Sequence, residues 1–271
     1  MADLRAALGH ALEPGYRVER EVRAVGNCRM FVALGRTDGV GLLVKVLPSA
    51  LSLAIDSTRF EQEVRRLGGQ LEHPGLVSPR GAGRAGSCVY HTRAFVEGTT
   101  LRAWLARHGE LPLRRAVEIL RDVLTALAHA HAAGVAHGDL RPENLLLADG
   151  PALVADVGIL GAVVDSTSGN AGGAATAALC ATDYLAPERR AGGEGAAGAS
   201  TRDDMFAVGV LTHEMLTGRP PTVDPEPLET VRSVPPWLAE LARRCRAPEP
   251  GARWSDAGAA LASGSWPGAG G

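Results

Sequence analysis

Alternating apolar and polar positions open the chain. Residues 16–22 (YRVEREV), 30–35 (MFVALG) and 41–47 (GLLVKVL) read as strands, with a turn around Thr37-Asp38-Gly39. The period then lengthens: Phe60, Val64 and Leu67 recur at i, i+4 and i+7, predicting a helix that Gly68-Gly69 closes. HPGLVSP and SCVYHTRAFV predict further short strands around a glycine-rich hairpin. From Thr100 onward the helical period dominates, most clearly in LRRAVEILRDVLTALAHAHAAG, which stops at Gly134. Two short strands, NLLLA and ALVAD, interrupt it. A stretch of Gly, Ala, Ser and Thr from about 165 to 178 predicts an unpacked loop. DDMFAVGVLTHEMLTG, PPWLAELARRC and SDAGAALAS predict the closing helices. The pattern divides into an N-terminal extension (1–15), a sheet-rich lobe (16–97), a helical lobe (98–262) and a flexible tail (263–271), an α+β arrangement.

Composition changes this picture in two respects. With 271 residues, 45% hydrophobic and 21% charged, the chain can bury a core, and its net charge of −2 predicts no attraction to nucleic acid or a membrane surface. Four scattered cysteines without a CxxC pair, no leader-like N-terminus and no long apolar run predict a cytoplasmic protein. The second respect is sharper. Of 28 basic residues, Lys45 is the single lysine. The Arg, Ala and Gly bias fits a GC-rich coding background in which lysine drifts to arginine, so a surviving lysine marks a position where a compact ammonium does what a planar guanidinium does not.

Residues 137–147 (HGDLRPENLLL) resemble the catalytic loop of protein kinases, usually written HRDLKPENILL. Asp156-Val157-Gly158 stands where that family has Asp-Phe-Gly, and YLAPE (184–188) resembles the segment closing its activation loop. RDDMFAVGVLTHEMLTGRPP is similar to the family's anchoring helix, with Asp204 its aspartate, and Arg253 matches the arginine that pairs with Glu188. The resemblance implies a bilobal protein kinase-like fold that binds ATP and Mg2+ and acts on a protein substrate or signalling partner. It implies that Asp139 orients the attacking hydroxyl, that Arg141 brings positive charge near the γ-phosphate, and that Asn144 and Asp156 hold the magnesium ions. Lys45 is expected on the α and β phosphates, paired with Glu63, while Gly26, Leu43, Val96 and Leu146 are expected around the nucleotide. Pro142-Glu143-Asn144 is of the Ser/Thr type.

The upper lobe departs from the family pattern. Counting back from Lys45 puts the phosphate-loop glycines at Arg23, Val25 and Cys28, leaving Gly26 alone. Leu43 replaces the usual alanine above the adenine, and Met30, Leu43 and Leu146 are expected to meet and close the site. Arg93 takes the position before the hinge and needs Glu63 or Asp156 as a partner, in competition with Lys45, unless it reaches solvent. Gly138 replaces the catalytic-loop arginine, and Ser166, Thr167, Ser168, Thr176 and Thr182 are expected as exposed loop hydroxyls. Thr182 is left open as the threonine that bonds the catalytic aspartate. His129, His131 and His137 read as structural.

Three readings stand on these residues: a Ser/Thr protein kinase of weak turnover, a pseudokinase scaffold with an occluded nucleotide site, and a small-molecule phosphotransferase. YLAPE, Asp204 and Arg253 count against the third. Pairing into a homodimer through the small lobe is left open.

Overall fold

The computed structural model describes residues 4–168, 172–190, 198–220, 227–263 and 266, without the side chains of residues 23–25 and 172. Helix α1 (Leu4–Leu12) leads into β1 (Tyr16–Val25), β2 (Cys28–Gly35) and β3 (Gly41–Val46). After the short α2 (Ser49–Ser52) come α3 (Ser57–Gln70), β4 (Leu76–Val77), β5 (Pro79–Ala85) and β6 (Cys88–Ala94). Strands β1, β2, β3, β6 and β5, in that order, form one antiparallel sheet. Side chains alternate across a strand, so the sheet has two unlike faces. Phe31, Ala33, Leu42, Val44, Val46 and Tyr90 meet Leu8 of α1, whereas Met30, Leu43, Lys45, His91 and Arg93 share the face toward the other lobe.

The N-terminal extension is therefore a docked helix. Leu8 is fully buried against the sheet. Leu8→Ala is expected to lower the unfolding free energy by about 2–5 kcal/mol, read as a lower urea midpoint at unchanged m-value. A loss below about 1 kcal/mol would mean that α1 is undocked in solution.

Beyond Ala94 the chain forms β7 (Thr99–Thr100), α4 (Leu101–His108) and α5 (Leu113–Ala132), then β8 (Leu145–Leu147) and β9 (Leu153–Ala155). Strands β4, β9, β8 and β7 make a small sheet whose β4–β9 pair is parallel, joining the two lobes. Helices α6 (Ile159–Asp165), α7 (Gly172–Leu179), α8 (Pro187–Arg190), α9 (Thr201–Thr217), α10 (Leu228–Val231), α11 (Pro236–Cys245) and α12 (Ala257–Ser263) complete the lower lobe. Its centre is α9, an apolar helix buried along nearly its whole length and started by a Ser200/Asp203 capping box. The architecture is α+β, a sheet lobe over a helical lobe.

Three expectations are corrected. Gly68-Gly69 does not close α3, which runs on to Gln70. A Cβ at Gly68 would lie 2.7 Å from the Pro79 carbonyl oxygen, so glycine lets α3 approach β5 rather than stopping the helix. The described part of the stretch 165–178 is not an unpacked loop. Its alanines favour helix, α7 forms there with Ala175 and Thr176 buried, and Ser166 is buried as well, its carbonyl accepting from the Asp56 N–H at 2.8 Å. In the tail, Trp266 is buried against Trp237 with a ring separation of 5.1 Å, and its Nε1 donates to the Leu261 carbonyl. An indole is too large an apolar surface to leave in water. Residues 264, 265 and 267–271 lie outside the described residues.

Candidate active site

The loop that begins at His137 hangs from α9. Asp204, 1% exposed, accepts from the backbone N–H groups of His137 at 2.6 Å and Gly138 at 2.9 Å, and His131 Nε2 lies 2.9 Å from the same carboxylate. His131 thus holds the loop through Asp204, and the His137 ring braces it through Nδ1, which accepts from the Asp139 N–H at 3.3 Å. Further down, Arg253 grips Glu188 through two bonds of 2.7 and 2.8 Å, fixing the segment after the activation loop.

Asp139 is partly buried beside Asn144, whose Nδ2 donates to the Asp139 carbonyl at 2.8 Å and to its Oδ2 at 3.2 Å. Arg141 is 5% exposed, with Nε 3.4 Å from Asp139 Oδ2. Burial raises the Asp139 carboxyl above its ordinary value, against the pull of Arg141 and Lys45. Cys180, not Thr182, faces Asp139. Its thiol is pushed up to about 12, first by burial and then by the Asp139 charge, while Thr182 is exposed.

Lys45 Nζ donates to Asp156 Oδ2 at 2.7 Å, and both groups are under 10% exposed. Burial alone would raise Asp156, but Lys45, then His91 and Arg93, outweigh it and hold the carboxyl well below the usual range. Lys45 is correspondingly raised, Asp156 overcoming its burial. Asp156 has a left-handed φ of 64°, which costs about 1–3 kcal/mol and marks a site where position outweighs strain.

The expected Lys45–Glu63 pair is not formed. Glu63 bonds Arg66 Nε at 2.8 Å on the partly exposed side of α3. The reason is α6, which packs against α3 directly after Asp156-Val157-Gly158, with Ile159, Leu160, Ala162 and Val163 buried. A helix filling that space leaves Asp156 as the nearer anion for Lys45.

Between the lobes lies a cavity of about 590 Å³, lined among others by Gly26, Met30, Leu43, Val96 and Leu146. The expected occlusion is thereby corrected: Met30, Leu43 and Leu146 line an open cleft instead of closing it. Gly26, at φ 56°, forms with Asn27 the two-residue turn between the paired Val25 and Cys28. A Cβ on Gly26 would come 3.5 Å from the Arg141 guanidinium, so the turn lies over the catalytic loop. The side chains of Arg23 and Val25 lie outside the described residues, and Cys28 is buried.

Several site residues escaped the sequence reading. Arg102 of α4 donates from Nε to Glu143 at 2.8 Å, from Nη1 to Glu214 at 2.5 Å and from Nη2 to the Tyr184 hydroxyl at 2.7 Å, and that hydroxyl also bonds Glu214. The signal was Glu214, an acid inside an apolar helix, which requires a partner. His91 is 1% exposed with neither ring nitrogen hydrogen-bonded. It was readable as sharing the strand face of Arg93, two residues on.

Burial lowers the His91 pKa from 6.5 to about 4. Between those values the unfolded chain binds the proton and the folded chain does not, so stability falls with pH. It should be flat above about pH 6.5 and lose about 3 kcal/mol in total by about pH 4 from this group. His91→Leu should remove that share of the slope in urea titrations at successive pH values. An unchanged slope would mean that the imidazole ionises inside the fold.

Comparison with known proteins gives one consistent result. The protein kinase domain family matches residues 27–257. The serine/threonine-protein kinase PknL of Mycobacterium tuberculosis is 34% identical over 265 residues, covering 91% of this chain. The chain spans 64% of that relative's length. A crystal structure of the M. tuberculosis PknI kinase domain superposes with a TM-score of 0.72 at 24% identity, covering 92% of this chain and 94% of the other. Rad53 in complex with AMP-PNP superposes at 0.69 and 24% identity, over 91% of this chain and 64% of the other.

Proposed function

Because the chain belongs to the protein kinase family, we propose that it transfers the γ-phosphate of ATP to serine or threonine hydroxyls of proteins. The observation that carries this is the cluster next to the open cavity: Asp139 held by Asn144 and Arg141, and Lys45 paired with Asp156, whose other oxygen faces the cavity-lining Arg93. The similarity to a serine/threonine-protein kinase supports the choice of hydroxyl, and the AMP-PNP bound by Rad53 supports a nucleotide in this fold.

The apolar side chains of Leu43, Val96 and Leu146 suit a purine between the lobes. Lys45 and Arg141 supply positive charge for the phosphates. Asp139, its carboxylate held by Asn144, orients the attacking hydroxyl and takes its proton. Arg141 keeps this carboxylate ionised more readily than burial alone would allow.

Asn144 and Asp156 offer magnesium oxygen donors, with both Asp156 oxygens already facing cations, Lys45 and Arg93. Asn144 spends its Nδ2 on Asp139, leaving its amide oxygen, and Asp156 is a buried carboxylate held ionised, so both offer the oxygen ligands this ion takes. Bound there, magnesium would neutralise charge on the phosphates.

The test is incubation with γ-labelled ATP and magnesium, with labelled residues mapped by mass spectrometry and thermal unfolding followed in parallel. Label on serine or threonine is expected, as is a nucleotide-dependent stabilisation of about 2.7 kcal/mol at 100 times the dissociation constant. Neither label nor shift at millimolar ATP would overturn the reading.

A further inference from the structure

The back wall of the cavity carries a cation that phosphate transfer does not call for. Arg93 lies opposite Leu43 in the β3–β6 register, on the sheet face that looks into the cleft, and is 7% exposed. Its Nε is 3.4 Å from Asp156 Oδ1, while Lys45 Nζ is 2.7 Å from Oδ2, so each carboxylate oxygen faces its own cation. The two contacts differ in kind. Lys45 makes a hydrogen bond, whereas Arg93 Nε is buried without one and its Nη1 reaches the Ala94 carbonyl at 3.3 Å. Arg93 acts on Asp156 as a charge, not as a bonded fork.

The charges in the cleft are unbalanced. Arg141 is shared between Asp139 and Glu143, whereas at Asp156 two cations, Lys45 and Arg93, face one carboxylate. His91, buried and without hydrogen bonds, adds no charge near neutral pH. A divalent ion approaching Asp156 enters a region already in positive excess and meets Arg93 at Oδ1. A polyphosphate enters a region that lacks negative charge. Because Lys45, Arg93 and Asp156 are each under 10% exposed, both effects are stronger than they would be in bulk water.

Resting on the nucleotide-binding reading above, we propose that Arg93 is a built-in counter-cation of Asp156. It takes over part of the charge a divalent ion would bring, weakens ion binding at Asp156, and lets the cleft hold a nucleotide polyphosphate with little help from metal.

Two measurements test this on the full chain. The first titrates Mn2+ into the nucleotide-free protein and reads free Mn2+ by electron paramagnetic resonance. Arg93→Met should bind Mn2+ ~10-fold or more tightly than the wild type, and adding Asp156→Asn should abolish the gain. The second compares thermal shifts by ATP in excess EDTA and in excess Mg2+. The wild type should keep at least about half of its Mg2+ shift in EDTA, and Arg93→Met should lose most of it. Equal Mn2+ affinity in the two proteins would overturn the assignment. So would a wild-type shift that appears with Mg2+ and vanishes in EDTA, which decides the matter alone should Arg93→Met not fold. A gain of Mn2+ affinity in the variant, with no ATP shift under either condition, would uphold the role of Arg93 while overturning the nucleotide reading.

Discussion

Asp204→Ala is expected to cost the fold about 3–5 kcal/mol, the scale of breaking a buried, bonded charge, out of a total that for a domain is about 5–15 kcal/mol. The carboxylate accepts from two backbone N–H groups and bonds the His131 imidazole in a water-free place. Removing it strands all three partners at once, and nothing nearby replaces it. Burial alone would raise its pKa, yet the His131 bond and charge and the Gly138 N–H keep it below the ordinary value, as expected for a carboxylate that is fully used. Asp204→Asn should cost less, because the amide oxygen still accepts from one N–H. Urea unfolding of the three proteins reads both effects. A loss under about 1 kcal/mol for the alanine variant would show that the loop does not depend on this anchor.

Asp139→Asn is expected to lower phosphate transfer about 100- to 10,000-fold, the usual contribution of a positioned acid–base group. Nucleotide binding should survive, because the Lys45–Asp156 pair is untouched and the asparagine keeps the shape of the side chain. The thermal shift by ATP should therefore match the wild type while the label disappears. Since burial raises the Asp139 carboxyl, the acid limb of the wild-type kcat/KM profile should lie above the ordinary aspartate value of 3.8. Transfer within tenfold of wild type in the variant would remove Asp139 from the mechanism. The Asp204 and Asp139 variants also separate two roles, since the first is read in stability and the second in turnover alone.

How much of this was legible in sequence differs by the kind of interaction. The strand patterns around Lys45 announced themselves by period, because a strand alternates faces whatever it packs against. The Arg253–Glu188 pair and the Asp204 anchor followed from motifs at fixed spacing, and the structure makes both contacts. The competition of Arg93 with Lys45 for Asp156 was legible too, since a buried arginine needs an anion and few were in reach. The network of Arg102 with Glu143, Glu214 and Tyr184 was not, because its members come from four separated segments.

The partner of Lys45 shows where the limit falls. The family resemblance named Glu63 as the partner of Lys45 and kept Asp156 for the metal. Whether Glu63 or Asp156 lies at bonding distance depends on where α3 sits, and that depends on α6, whose buried apolar residues pack against it. The openness of the cleft is decided in the same way: the identities of Met30, Leu43 and Leu146 say how large they are, not how far apart the lobes hold them. By itself the sequence determined the fold class, the family and the set of chemical groups, because these depend on local period and on motifs within short spans. The tertiary structure alone decided the pairing of Lys45 with Asp156, the placing of Arg93 beside it and the open cavity between the lobes. Those are distances between segments far apart in the chain, fixed by packing that no local pattern records.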